Sequence, residues 1–372
     1  MIILPRLRLG ITSDYEVKYI KPEDLFTHIF LAGSTGTGKT NLLAQWFQTA
    51  ARYRVAKILI DPGGLAEIAY ACCQGKCHFI SADSPLSLNP MRANFQAHQI
   101  FNIIIESINQ MINLSTNGAI KEMTPRMIVI AKKEFDYCWS RERFSLEALR
   151  DRIAIAKGDG QTRDGILSRL DMLLSDPIFK DIVCGNEAID IGRLTEAQET
   201  LILDASRFSR NQMIFLGALT TNLVKAYFRF SPPRDYKPLL VFIDELYNFV
   251  SPDINITLRE GRRYRVSFIM ATQDFPRQAE DLIRIILSNA GTLLAFRVGN
   301  REAAMIQKEF RNLTVEEIQF PEKYYASFRT RSEEGIVKTS KMMPVKLLPK
   351  PSIERKPQLS GWFKLRPISP AA

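Results

Sequence analysis

The chain has 372 residues, 50 Lys and Arg against 40 Asp and Glu, and a net charge of +10. With 46% hydrophobic and 24% charged residues, the composition is that of a globular protein and excludes a largely disordered chain. No apolar run reaches the roughly 18 residues of a membrane-spanning helix, and Met1–Gly10 has no signal-peptide core, so a soluble, cytoplasmic protein without an intrinsic membrane segment is expected. Five cysteines without a secretion signal read as reduced thiols.

In chain order, Thr27–Ala32 is a short apolar run that ends in glycine and suits a buried strand, and Thr40–Tyr53 reads as a helix. Lys57–Ile60 predicts a second strand stopped by Asp61-Pro62-Gly63-Gly64, and His78–Ile80 a third. This alternation predicts an α/β fold with a mainly parallel sheet. Cys72, Cys73, Cys77 and His78 are metal-ligand types, but their spacing is not that of a zinc pair and reads as a thiol cluster. From residue 93 to 185 strand signals give way to amphipathic stretches such as Arg126–Trp139 and Leu146–Ile155. Charge there is balanced, so a helical insertion within a discontinuous core of 1–92 and 186–335 is expected. Strand signals return at Thr200–Leu203, Leu239–Ile243, Val266–Ala271 and Thr292–Val298, with helical stretches at Gln212–Phe228, Arg277–Ser288 and Arg301–Phe310. The last 42 residues carry six of the ten net positive charges and six of the 19 prolines. The segment 336–372 therefore predicts a basic, extended tail.

Three segments carry chemistry. Gly33-Ser34-Thr35-Gly36-Thr37-Gly38-Lys39-Thr40 fills every fixed position of G-x-x-x-x-G-K-[ST] between a predicted strand and a predicted helix. Its glycines let backbone N–H groups surround phosphate at a helix N-terminus, Lys39 is placed for the outer phosphates and Thr40 for Mg²⁺. Asn41 is grouped with this loop as a nucleotide contact. Leu239–Ile243 then runs into Asp244-Glu245, an acidic pair suited to Mg²⁺ (Asp244) and to polarising a water (Glu245). Gln273 ends the Val266–Ala271 strand region, where it can position water or sense the terminal phosphate. ATP and Mg²⁺ are the implied cofactors, and the absence of an N/T-K-x-D guanine signature disfavours a GTP switch. Arg262, Arg263 and Arg297 are candidates for an arginine that completes a neighbouring subunit's site.

Taken in order, His28–Leu42, Ile58–Leu65, Leu88-Asn89-Pro90, Val241–Leu246 and Arg262–Gln273 resemble the HerA/FtsK group of ring ATPases, especially archaeal HerA-type enzymes and the TraG-like coupling ATPases of type IV secretion. The resemblance covers roughly residues 25–335. It implies a RecA-like core, a homo-hexameric ring with ATP between subunits, and translocation of double-stranded DNA. Lys39, Thr40, Asp244, Glu245 and Gln273 become nucleotide-site residues, with Arg263 the preferred finger by its position in the basic motif. The roughly 26 residues before the first predicted strand are too few for the β-barrel of HerA proteins, and the membrane helices of coupling proteins are missing. A minimal translocase or a motor with a separate anchoring or nuclease partner is therefore expected. A secretion-assembly ATPase acting on proteins, and an ATP-binding scaffold with little turnover, are the alternatives.

Overall fold

The computed structural model describes residues 3–348 apart from 85, 187, 231–235, 250–253, 274 and 276–279. The tail from 349 to 372 and the expected helix start at Arg277 lie outside the described residues.

One sheet of eleven strands organises the chain. In sequence order these are β1 (Leu7–Ile11), β2 (Val17–Ile20), β3 (Ile29–Ala32), β4 (Ala56–Asp61), β5 (Cys77–Ile80), β6 (Thr200–Asp204), β7 (Leu239–Ile243), β8 (Val266–Thr272), β9 (Thr292–Ala295), β10 (Tyr325–Arg329) and β11 (Glu334–Lys338). Across the sheet they run β2-β1-β11-β10-β9-β3-β8-β7-β4-β6-β5. From β9 to β5 all pairings are parallel. From β2 to β9 all are antiparallel.

The parallel strands are apolar almost throughout because helices cover both faces. Alternate residues of β3 show it. Ile29 and Leu31 join one core with Leu42, Trp46 and Phe47 of α1 (Lys39–Ala51) and Leu65 of α2 (Leu65–Cys72). Phe30 and Ala32 join the core on the opposite face. That second face carries α3 (Ala97–Thr116), α4 (Pro125–Ser140), α5 (Leu146–Ala154), α6 (Gly160–Leu174), α7 (Pro177–Cys184), α8 (Ile191–Ala197) and α9 (Arg210–Phe230). The helices of 97–184 thus share a continuous core with the sheet. Asn89 ties their entry to their exit: its amide donates to Phe144 O (2.7 Å) and Gly185 O (2.9 Å). Four shorter helices complete the chain: α10 (Ile254–Gly261), α11 (Glu280–Asn289), α12 (Asn300–Gln307) and α13 (Val315–Gln319).

The antiparallel strands β1, β2, β10 and β11 were not among the predicted elements. β11 holds residues to Lys338 inside the sheet, past the expected start of the tail at 336. Residues 339–343 then run along α1 of the same chain: Asn41 Nδ2 donates to Ser340 O (2.9 Å), Met342 N to Asn41 Oδ1 (3.0 Å), and Gln48 Nε2 to Met343 O (3.3 Å).

Candidate nucleotide site

The site lies at the carboxyl ends of the parallel strands. β8 and β7 are inserted between β3 and β4, so the loop after β3 stands next to side chains that come from much later in the chain. A crevice at such a reversal of strand order is where open parallel sheets take ligands.

The loop after β3 has the backbone that its glycines predict. Gly36 (φ 76°) and Gly38 (φ 119°) occupy the left-handed region. Gly33 N donates to Thr272 O (3.2 Å), and Ser34 N to Arg297 O (2.8 Å), which fastens the loop to β8 and to the end of β9. Thr37 Oγ1 donates to Ser34 O (2.8 Å). The loop then enters α1 at Lys39, so its amides and the positive helix end share one concavity.

Five predicted side chains converge there, those of Lys39, Thr40, Asp244, Glu245 and Gln273. Lys39, only 3% exposed, reaches Glu245 Oε1 (3.2 Å) and stands 4.0 Å from Asp244 Oδ1. Thr40 Oγ1 donates to Asp244 Oδ2 (3.3 Å). Gln273 donates to Glu245 through both its backbone N (3.3 Å) and its side-chain amide, and its Oε1 accepts from Thr35 Oγ1. Glu245 has φ 49°, a left-handed conformation uncommon for a residue with a side chain, which directs the carboxylate back toward the loop. Burial raises the Asp244 carboxyl above its ordinary value, and the Lys39 ammonium opposes that shift.

Asp61, at the end of β4, is a further carboxylate beside Asp244. It is fully buried, accepts from Gly63 N and Gly64 N (both 2.9 Å) and Ala66 N (2.6 Å), and so fixes the start of α2. Burial pushes its carboxyl up to about 6, against the pull of those amides. The strand-stopping Asp61-Pro62-Gly63-Gly64 is therefore also the wall of the crevice.

Three expectations fare differently. The side chain of Asn41 does not face the phosphate loop; both of its ends are taken by the 340–342 backbone. Arg262 and Arg263 are exposed in a short helical turn at the other end of β8, about 20 Å of strand from Gln273. Both stand too far along the sheet to reach the phosphate loop of the same chain. Arg297 is exposed on the near side, directly after β9, with its carbonyl bound to the loop. Sequence reasoning missed Tyr324. Its N donates to Thr37 O (3.1 Å), its carbonyl accepts from Thr339 N (2.7 Å), and its ring leaves no room for a Cβ on Gly38. No local motif marks it, because the contact depends on the β10–β11 hairpin folding back onto the loop.

The fold and the strand–loop–helix phosphate cradle define a RecA-like P-loop architecture. No family model matches the chain, and no curated protein matches it. Solved structures do. The plasmid coupling protein TrwB in complex with ADP and Mg²⁺ is similar over 92% of this chain and 90% of its own, with a TM-score of 0.70 and 13% identity. The bacterial conjugative coupling protein TrwB in its unbound monoclinic form gives a TM-score of 0.68 over 91% and 89%, again at 13% identity. VirB4 of Thermoanaerobacter pseudethanolicus gives 0.67 over 90% and 96% at 12% identity. At these identities the likeness is one of fold, shared with these coupling and VirB4 proteins over nearly the whole chain. Among the described residues, no helix is long and apolar enough to cross a membrane.

Proposed function

We propose that the chain is a Mg²⁺-dependent ATPase that works as a homo-hexameric ring motor on double-stranded DNA. The observation that carries this reading is the convergence of Lys39, Thr40, Asp244, Glu245 and Gln273 at one strand edge, from three separate parts of the chain.

The residues fit the cofactors. The glycine loop and α1 offer backbone donors for the phosphates, and Lys39 adds a charge held close by the acidic pair. Thr40 and Asp244 offer two oxygen ligands, which suits Mg²⁺, an ion that keeps several waters and takes the remaining positions from phosphate. The metal supplies charge neutralisation at the phosphates when bound. Glu245 accepts the proton of the attacking water, and Gln273, held by Glu245 and Thr35, orients that water. An exposed arginine from a neighbouring copy completes the site, with Arg263 available because it lies too far to serve its own.

The DNA substrate is supported by likeness of fold to a plasmid coupling protein and by the basic charge of the chain. A direct check measures ATP turnover with and without duplex DNA as salt is raised. Stimulation that fades steeply with salt is expected, because phosphate contacts release counterions. Turnover unaffected by saturating duplex at low salt overturns the DNA substrate.

A further inference from the structure

A cleft of about 790 Å³ lies at the end of the sheet opposite the nucleotide site, where β3 and β9 begin and the β10–β11 turn closes.

Five arginines line it, on three walls: Arg259 and Arg262 from α10 and the turn after it, Arg311 from the loop after α12, and Arg329 and Arg331 from the β10–β11 hairpin. Three glutamates line it too, but each is already engaged. Glu309 faces Arg329 (3.6 Å), Glu333 binds Lys18 (2.9 Å), and Glu334 accepts from the backbone N of Arg311 (3.0 Å) and Asn312 (2.7 Å). Arg329 is held in the wall by Ala290 O (3.0 Å), while its buried Nε has no partner. Among the described residues, Arg331 has only a long contact to Asp24 (3.9 Å). Arg259, Arg262 and Arg311 are exposed and make no ion pair among the described residues.

We propose that this cleft binds the phosphodiester backbone of nucleic acid, at a site separate from the nucleotide crevice. The two sites recognise phosphate by different means. The crevice has a glycine loop, a helix end and carboxylates for a metal. The cleft has no acidic pair free for a metal, and Glu334 occupies the backbone amides at 311 and 312. What remains is guanidinium groups on three separate segments. Such a set suits successive monoanionic phosphates, which side-chain cations grip without a metal. A triphosphate with its Mg²⁺ has no carboxylate partner here. The proposal rests on the nucleic-acid substrate put forward above.

The test is equilibrium binding of a labelled 20-base-pair duplex to the full chain, by fluorescence anisotropy across a salt series. The double variant R311E/R331E should bind at least tenfold more weakly, and its log-affinity against log-salt slope should fall by about 2, one for each arginine–phosphate ion pair removed. R311Q/R331Q repeats the comparison with charge removed rather than reversed, and the melting midpoint confirms folding of both. If the parent binds duplex and both variants match its affinity and slope, the cleft is not the backbone site, whereas the DNA reading stands. If both variants keep duplex binding but lose assembly with a non-hydrolysable ATP analogue, the cleft receives a neighbour's nucleotide, and the proposal is overturned. If the parent binds no duplex at low salt, the DNA substrate itself fails, and the cleft proposal with it.

Discussion

The two ends of the parallel sheet treat charge in opposite ways. At the carboxyl end the central polar side chains of the crevice are held in place: Lys39 by Glu245, Thr40 by Asp244, Gln273 by Thr35 and Glu245, Asp61 by three backbone amides. At the amino end the glutamates are satisfied and the exposed guanidinium groups are not. One sheet thus presents a preorganised acid–base constellation at one edge and an open basic surface at the other. On the functions proposed above, the first suits reacting atoms whose positions matter to fractions of an ångström, the second a ligand held mainly by its charge.

The sharpest break of this contrast is at Glu245. Glu245→Gln keeps the size and the contact to Gln273 but removes the base, so ATP turnover should fall by about two to four orders of magnitude while ATP binding survives. Single-turnover hydrolysis and analogue binding measured side by side check it, and wild-type turnover in the variant rules Glu245 out as the base. Gly38→Ala comes next. The residue sits at φ 119°, and a new Cβ would stand 2.9 Å from the Tyr324 ring. A backbone cost of about 1–3 kcal/mol is expected, with a lower melting midpoint and weaker nucleotide binding. Unaltered affinity and midpoint would show that the loop does not depend on that conformation.

The parts read from sequence and the parts missed divide along the same sheet. Strands β3 and β7 are continuous apolar runs, and β4 and β8 are apolar beyond Lys57 and Ser267; the runs stop at Gly33, Asp244, Asp61 and Thr272-Gln273, because burial on both faces disfavours polar residues until the edge. That edge carries the candidate site, so the stop signals and the candidate site residues coincide. The antiparallel strands offered no such signal. β2 is mostly exposed and β11 only partly buried, and β10 mixes Ser327 and Arg329 with its apolar residues. Their pairing is fixed by partners distant in sequence. Asn41 shows the same limit inside the motif: its position beside Lys39 and Thr40 suggested a nucleotide contact, and only the return of β11 reveals its partners.

The amino end has its own titration, through His28. This residue is buried at the start of β3; its Nε2 lies 2.6 Å from Leu258 O, and Nδ1 accepts from Phe268 N (3.1 Å), so the neutral ring joins α10 to β8. Burial lowers its pKa to about 4. The unfolded chain takes up the proton near 6.5, so the folded state loses stability as pH falls from about 6.5 toward 4, by up to roughly 3 kcal/mol. Asp61 acts in the opposite sense. Its carboxyl, raised to about 6, binds a proton in the folded state before it does so in the unfolded one, so it favours folding as pH falls from 6 toward 3.8. In His28→Gln only the second trend remains. The stability gap between parent and variant should therefore narrow between pH 7.5 and pH 5, which urea melts at the two values measure directly. A gap independent of pH would mean that His28 is not held neutral.

The smallest effect expected is at Asn41, and it tests whether the two halves of the sheet are joined at the phosphate loop. Asn41 and Gln48, seven residues apart on one face of α1, hold the chain that leaves β11, while Thr37 and Thr339 hold Tyr324, where β10 begins. The antiparallel half therefore grips the same loop and helix that the parallel half presents to phosphate. Asn41→Ala deletes two hydrogen bonds on a half-buried side chain and should cost about 1–2 kcal/mol. If Asn41 acts through this grip, the variant should bind an ATP analogue only a few-fold more weakly, and backbone amides at 340–342 should exchange hydrogen faster than in the parent. If Asn41 instead touched nucleotide directly, affinity would fall with no change in exchange at 340–342. The two measurements together separate a residue that positions the loop from one that binds the ligand.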